Sequence, residues 1–348
     1  MRRLEWTGHH DPSKPMIFRW LARLFGTNAP PPPALERGQD LVPQDLDNLA
    51  PAPLADTPRT DVELFADFYH WLTGENQQLP AIHIEKIILE ELSRLAQNPE
   101  AAAGMVPRVP AVIPQLLRSL RDESMSGADL AKQISQDVVL VAEVVREANS
   151  PYYAPTAAVR NIEGAVMLLG QNGLRMLIAR VAFRPIINQQ GGYFAKLAAP
   201  AIWSQSEKCA LAASLLSGGG PAQFEAYLAG LIENVGLMVA FRLIDQIYSD
   251  TALPQSDDFC RRFNTYARML SARIARLWEI PASVVEAIEQ AGEPDAPPLA
   301  RLLACADRVS KLRMLVDAAR ICEDAPDVQA LSTDERRVFA KLKEQEPD

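Results

Sequence analysis

Histidine is scarce in this sequence and confined to one end of it. The 348-residue chain has four histidines, and all of them lie in its first quarter: His9, His10, His70 and His83. A nucleophilic serine or cysteine needs an adjacent base, and histidine is the usual one. The sequence after His83 therefore excludes a Ser/His/Asp or Cys/His triad.

Basic residues are also fewer than acidic residues. The chain has 35 Lys and Arg residues against 44 Asp and Glu residues, which gives a net charge of -9 at pH 7. Sequence-independent nucleic-acid binding rests on clustered basic charge that neutralises backbone phosphates. The composition therefore argues against a general DNA- or RNA-binding protein, and we expect no nucleic-acid partner.

Cysteine pairs and long apolar runs are missing as well. None of the four cysteines stands in a CxxC pair, and we interpret them as small buried hydrophobic residues in a reducing compartment rather than as zinc ligands: Cys209, Cys260, Cys305 and Cys322. No uninterrupted apolar run approaches the roughly 18 residues of a membrane span, and the N-terminus does not read as a signal peptide. We therefore expect a cytoplasmic protein.

Helical periodicity fills the chain from Asp61 onward. Apolar residues recur with a period near 3.6, and almost nothing alternates as a strand does, so the predicted fold class is all-α. The predicted helices of the second half include Phe194–Leu216, Gln255–Leu277, Ala282–Gln290 and Leu299–Cys322.

The centre of the predicted fold is a helix from Tyr227 to Arg242, apolar on every side as a buried helix is. Glu233 and Asn234 lie next to each other in its middle. An unpaired buried polar group costs on the order of 2–7 kcal/mol, so these side chains need polar neighbours. They predict an internal polar site.

The first 60 residues differ in composition from the rest. Proline runs from Pro30 to Pro33 and recurs up to Pro58, which is typical of an extended linker. Ahead of it, Met16 to Phe25 has the pattern of a short amphipathic helix with Arg19 and Arg23 on one side. The candidate docking residues on its apolar face are Trp20, Leu21, Leu24 and Phe25.

Two interpretations of this helix stay open. Basic charge beside Trp, Phe and Leu favours a helix that lies on a membrane surface or on a partner. A helix so short is marginal by itself, which favours one that folds back onto the body and hides its Trp.

Replacing Trp20 and Phe25 by Ala distinguishes the two interpretations. If the helix docks on a membrane or partner, the double substitution abolishes that binding and leaves the melting temperature nearly unchanged, because apolar area drives such adsorption. If the helix packs on the body, the melting temperature falls instead. Vesicle co-sedimentation and a thermal melt of both proteins measure the two effects.

Five phrases occur in a recognisable order: VPRVPAVIPQLLRSL, ADLAKQISQDVVLVAEVVREANSPYYAP, IEGAVMLLGQNGLRMLI, IWSQSEKCALAASLL and AYLAGLIENVGLMVAFRL. Together they strongly resemble the HDOD family of bacterial signalling domains, which is related to the HD-type metal-dependent phosphohydrolases. The resemblance covers Met105 to Leu312 and is most specific from Ile134 to Tyr153. It implies an all-helical bundle in two lobes, the second of them HD-like.

Composition, helical periodicity and the resemblance together predict a division of the chain into four parts. An N-terminal helix and proline-rich linker (1–60) precede a helical extension (61–104). The HDOD-like domain (105–312) follows, and a C-terminal helical tail (313–348) closes the chain.

A metal-dependent relative would carry its ligands at positions that this resemblance locates. They are Gln205 for a first His, Glu233 and Asn234 for a His-Asp pair, Gln290 and Ala291 for a later His pair, and Asp307 for a final Asp. Of these, Asp307 alone keeps the residue type. A catalytic metal needs about three imidazole, thiolate or carboxylate ligands. The resemblance therefore implies a vestigial site with no metal, no cofactor and no catalytic residue.

We therefore expect a non-catalytic signalling or scaffold module that binds a protein partner or a small ligand. An alternative of another class is a residual or repurposed phosphohydrolase in which Glu233 and Asp307 hold a hard cation such as Mg²⁺. A third is an adaptor held peripherally at the inner membrane surface by residues 16–25. The sequence leaves the partner, the signal and the oligomeric state open.

Overall fold

The structure is a computed structural model of the chain. It describes residues 57–74, 82–98, 126–135, 138–150, 155–187, 192–219, 222–248 and 253–343. Within these ranges every regular element is an α-helix and none is a strand, which confirms the all-α prediction. The predicted docking helix, with Trp20, Leu21, Leu24 and Phe25, lies outside the described residues.

The helices of the described residues are numbered in chain order. They are α1 (Asp61–Thr73), α2 (Ile82–Gln97), α3 (Gly127–Ile134), α4 (Val138–Ala148), α5 (Ile162–Ile187), α6 (Tyr193–Leu216), α7 (Ala222–Ile232), α8 (Val235–Ile247), α9 (Asp257–Leu277), α10 (Ala282–Gln290), α11 (Pro298–Asp317), α12 (Pro326–Gln329) and α13 (Thr333–Lys341). In the smaller lobe α3 and α4 pack against α5, and in the larger lobe α6 packs against α7, α8 and α11.

Arg180 of α5 joins the two lobes. Its guanidinium pairs with Glu147 of α4 in the smaller lobe and with Glu207 of α6 in the larger one. Burial raises the pKa of Glu207, and the charge of Arg180 counteracts that effect. The lobes are therefore held together by a mostly buried ionic bridge as well as by apolar packing.

Helices α1 and α2 precede the smaller lobe in sequence but pack against α9 of the larger lobe. Thr60 caps α1 by accepting a hydrogen bond from the Glu63 main-chain N–H. Farther along α1, the ring centroid of Tyr69 lies 6.2 Å from that of Phe241 and 5.2 Å from that of Phe263. The predicted helical extension thus shares the core of the larger lobe.

The start of α1 is fastened to the C-terminal part of the chain. Asp327 of α12 is fully buried, and it accepts hydrogen bonds from the main-chain N–H of Arg59 over 2.6 Å and from Arg59 Nη1 over 2.5 Å. Arg308 of α11 lies 3.6 Å from the same carboxylate and pairs with Asp61 at 2.8 Å. Arg59 and Thr60, which the sequence analysis assigns to the linker, are therefore held by the helical body.

The C-terminal part of the described residues completes the larger lobe. Helix α11 continues to Asp317 without a break across the predicted boundary between residues 312 and 313. Helix α13 packs against both α6 and α11. The division of the chain into four parts stays a prediction from the sequence.

The predicted central helix is two helices. Helix α7 ends at Ile232 and α8 begins at Val235, so Glu233 and Asn234 form a turn between them. The prediction of one continuous helix was wrong at this turn. The predicted burial is confirmed: the segment Ala222–Ile247 is long and apolar enough to cross a membrane, but 94% of its most apolar window is buried inside the protein. Its apolar sequence builds the core of the larger lobe.

Two glycines let α7 and α8 lie directly against neighbouring backbones. A Cβ atom at Gly230 of α7 would lie 2.7 Å from the backbone of α6, and one at Gly236 of α8 would lie 2.0 Å from the carbonyl oxygen of Ala267 in α9. Both distances are too short for real contacts. These close approaches fix the turn that carries Glu233 and Asn234 between α6 and α9.

The four cysteines divide into two groups. Cys209 and Cys260 are buried as predicted, whereas Cys305 and Cys322 are only half-buried. The prediction of burial was wrong for Cys305 and Cys322, because their side chains lie at the edge of the core and not inside it. All four are free thiols.

Candidate functional site

A polar cluster lies in the core of the larger lobe, where α6, α11 and the α7–α8 turn meet. Gln205 of α6 is fully buried, and Glu233 and Asn234 of the turn are nearly so. Asn234 Nδ2 donates to Gln205 Oε1, and Gln205 Nε2 donates to Asp307 Oδ1 on α11 over 2.7 Å. Ser310 Oγ lies 3.1 Å from the same Gln205 nitrogen. The structure thus brings Gln205, Glu233, Asn234 and Asp307 together.

Gln290 does not join this cluster. It lies at the end of α10, and its side chain donates to Glu286 of the same helix over 3.3 Å. Its neighbour Ala291 contributes only a main-chain oxygen, which accepts a hydrogen bond from Arg268 of α9. Gln290 thus lies apart from the cluster, and its assignment to the vestigial site stays a prediction from the resemblance.

Lys311 is a charged member of the cluster that was not predicted from the sequence. It follows Asp307 by one turn of α11, and its ammonium contacts both carboxylate oxygens of Asp307. The side chain is only 6% exposed, and its nitrogen lies 5.8 Å from the ring centroids of Phe65 and Phe68 in α1. The spacing of an acid and a base four residues apart in a helix was the available signal. That spacing more often marks a solvent-exposed pair.

Glu233 is held in its neutral form. Burial and, to a smaller extent, the nearby Asp307 raise its pKa to about 8, against the opposite effects of Lys311 and Arg268. Cys209 Sγ contacts Glu233 Oε2 at 3.4 Å, and Ser271 Oγ donates to the Glu233 main-chain oxygen. At neutral pH the side chain therefore carries a proton for most of the time.

Three groups of the cluster are close enough to suggest a metal site. The ligand atoms of Cys209, Glu233 and Asp307 lie within 4.8 Å of one another. Burial raises the pKa of the Cys209 thiol well above its ordinary value, so two of the three donors are protonated. Lys311 covers both oxygens of the third. A metal ligand must be deprotonated and unpaired, and this donor set therefore does not fit a divalent metal.

The space beside these groups is small. A cavity of about 10 Å³ lies between Glu233, Asn234, Asp307 and Lys311. That is about the room that one water molecule needs. Among the described residues, no histidine lines it.

The cluster borders a much larger opening, which we call the α9 cleft. Its volume is about 550 Å³, and residues of α1, α9, α10 and α11 line it. Asn264 and Arg268 of α9 and Asp307 and Lys311 of α11 line both the small cavity and the α9 cleft. The polar cluster is therefore the inner wall of a site that a small molecule can enter.

Comparison with known proteins identifies the fold. The sequence profile of the HDOD domain family matches residues 106–294. A crystal structure of an HDOD domain protein with unknown function from Geobacter sulfurreducens is 21% identical, covers 75% of this chain and 94% of that chain, and gives a TM-score of 0.52. A second crystal structure is that of a protein of Shewanella amazonensis SB2B, whose name assigns it provisionally to the metal-dependent phosphohydrolases. It is 18% identical, the match covers 74% of this chain and 99% of that chain, and the TM-score is 0.50. At these identities the likeness concerns the fold alone.

A curated relative from Treponema pallidum (strain Nichols), named an uncharacterized protein, is 21% identical over 234 residues. The match spans 64% of this chain but 45% of the relative, so this chain covers less than half of that protein's length. The profile match, by contrast, includes more than half of the 348 residues. This protein belongs to the HDOD domain family.

Proposed function

We propose that this protein is a non-catalytic HDOD signalling module, a helical body that binds a protein partner or a small ligand. The observation that carries the proposal is the pairing of Lys311 with Asp307, the position that keeps the residue type of a metal-dependent relative. The buried ammonium supplies the positive charge that a metal ion would bring. Gln205 and Asn234 are neutral amides bonded to each other. This arrangement supports a structural cluster rather than a centre that activates water.

The competing function is a residual phosphohydrolase in which Glu233 and Asp307 hold a cation. The close approach of Cys209, Glu233 and Asp307 favours it. It requires Glu233 and Cys209 to lose their protons and Lys311 to leave Asp307. Each of these changes costs free energy in a buried site, which is why we propose the non-catalytic function.

We expect the protein purified without chelator to carry no stoichiometric Fe, Mn or Zn. We also expect no hydrolysis of phosphomonoesters or cyclic dinucleotides above background, with or without added Mn²⁺ or Mg²⁺, because Lys311 keeps Asp307 from acting as a ligand. Elemental analysis and a hydrolysis assay measure the two properties. A near-stoichiometric metal that is lost together with hydrolysis in Glu233→Gln or Asp307→Ala would overturn the proposal. Contact of residues 16–25 with a membrane, and the cytoplasmic location, stay predictions from the sequence.

A further inference from the structure

The α9 cleft is walled by arginines, although the chain as a whole has a net charge of -9. Its basic residues are Arg261, Arg268, Arg273, Arg276 and Lys311. Its acidic residues are Asp61, Glu289, Glu293 and Asp307. What the cleft can bind depends on which of these charges are already neutralised by a neighbour.

Most of them are. The pairs involved are Arg276 with Glu289, Lys311 with Asp307, Arg261 with Asp258, and Asp61 with Arg308. Glu293 is exposed to solvent and has no ion-pair partner among the described residues. Two basic groups, Arg268 and Arg273, are left to be accounted for.

Arg268 and Arg273 are half-buried and have no carboxylate partner in the described part of the chain. Arg268 Nη1 donates to the carbonyl oxygen of Ala291, and Arg273 Nη1 donates to that of Ala96. A carbonyl orients the guanidinium but does not cancel its charge, and each guanidinium keeps further N–H donors. The cleft therefore contains two oriented positive charges that have no counterion among the residues that the structure describes.

The rest of the lining suits an organic molecule. Val62 and Phe65 of α1 and Met269 of α9, which is 42% exposed, provide apolar surface, and Asn264 and Thr265 provide neutral polar groups. A volume of about 550 Å³ falls in the range of roughly 300–1,000 Å³ that is typical of small-molecule sites. One guanidinium group can donate two parallel hydrogen bonds to two oxygens of the same phosphate.

We propose that the α9 cleft binds a small phosphorylated organic ligand, with its phosphate on Arg268 and Arg273 and its organic part against α1. The inference deepens the proposed function by naming a ligand class for the module, and it rests on that function. Asp61 and Val62, at the start of α1, line the cleft. A ligand in the cleft therefore lies beside the start of α1, where the N-terminal segment joins the helical body.

Isothermal titration of the full chain with AMP, inorganic phosphate and adenosine tests this inference. We expect AMP to bind, inorganic phosphate to bind more weakly because it lacks the organic part, and adenosine not to bind detectably because it lacks the phosphate. Arg268→Gln and Arg273→Gln should each weaken AMP binding by about ten- to a hundredfold, since each removes a charge-assisted hydrogen bond.

Arg262→Gln is the matched control. Arg262 lies on the same helix, its side chain is 44% exposed, and it does not line the cleft. We expect its AMP affinity to stay within about twofold to threefold of wild type, and circular dichroism to show that all variants are folded. If no probe binds in the millimolar range, or adenosine binds as well as AMP, the inference is wrong. It is equally wrong if Arg268→Gln and Arg273→Gln keep wild-type affinity, or if Arg262→Gln loses as much affinity as they do.

The same titration separates this inference from the proposed function. Failure of AMP and phosphate to bind removes the ligand class and leaves a non-catalytic module that binds a protein. Hydrolysis of AMP during the titration overturns the non-catalytic function, while binding through Arg268 and Arg273 still stands. The two failures are therefore distinguishable.

Discussion

Replacing Asp327 by Ala is expected to lower the free energy of unfolding by about 3–5 kcal/mol, the range for removing one partner of a buried ion pair. The Asp327 carboxylate has no exposed surface, and it accepts hydrogen bonds from both the main-chain N–H and the guanidinium of Arg59. Without it, Arg59 keeps Asp67 and Arg308 keeps Asp61 as partners, but both of those carboxylates are partly exposed, and the Arg59 main-chain N–H loses its acceptor. Thermal and urea denaturation measure the loss.

Asp324→Ala is the control for this substitution. Asp324 is exposed and lies three residues before Asp327 in the chain, so we expect a change within about 0.5 kcal/mol. A double variant with Arg59→Met should lose less than the sum of the single losses, since the two side chains share one interaction. If Asp327→Ala unfolds at the same temperature as Asp324→Ala, the attachment of α1 to α12 contributes nothing to stability.

The stability of the wild-type protein should fall as the pH rises from about 5 to about 9. The pKa of Glu233 is raised by burial from 4.5 to about 8, so between these values the folded state keeps a proton that the unfolded state has released. This contribution is fully present below the lower pKa and is lost as the pH passes through the upper one. With about 1.4 kcal/mol for each pKa unit, the loss over the whole interval is at most about 5 kcal/mol.

Glu233→Gln should remove most of this pH dependence. Glutamine has nearly the same shape, stays neutral, and still offers an oxygen to Cys209. The variant should match wild type near pH 5 and exceed its stability near pH 9, as urea denaturation over a pH series would show. Glu286→Gln, an exposed substitution on α10, should retain the wild-type dependence. Parallel curves for wild type and Glu233→Gln would contradict the assignment of the titration to Glu233.

Part of the candidate site could be predicted from the sequence. A glutamate and an asparagine in an apolar helix must be satisfied by polar neighbours, and the HDOD resemblance named Gln205 and Asp307 as residues near them. The structure places these four side chains together. Gln290 could not be excluded from the sequence, because its direction depends on how α10 packs.

The burial of the charged pair in the site could not be predicted from the sequence. Asp307 and Lys311 are four residues apart in a helix, a spacing that usually marks an exposed pair. Here α1 packs over the pair and buries Lys311 against Phe65 and Phe68. The burial of the ammonium that pairs with Asp307 thus depends on a helix more than 200 residues away in the sequence.

The sequence by itself determined the helical class, the bounds of helices such as α10, and the lack of histidine in the region that resembles an HD-type enzyme. Periodicity and residue type are local properties, and they require no knowledge of packing. Tertiary structure alone decided the break of the central helix at Glu233, the burial of Lys311 and the position of Arg268 and Arg273 in one cleft. It alone decided the bond between Arg59 and Asp327, which are 268 residues apart. Each of these depends on which helices pack together, because packing sets the direction, solvent exposure and neighbouring charges of a side chain.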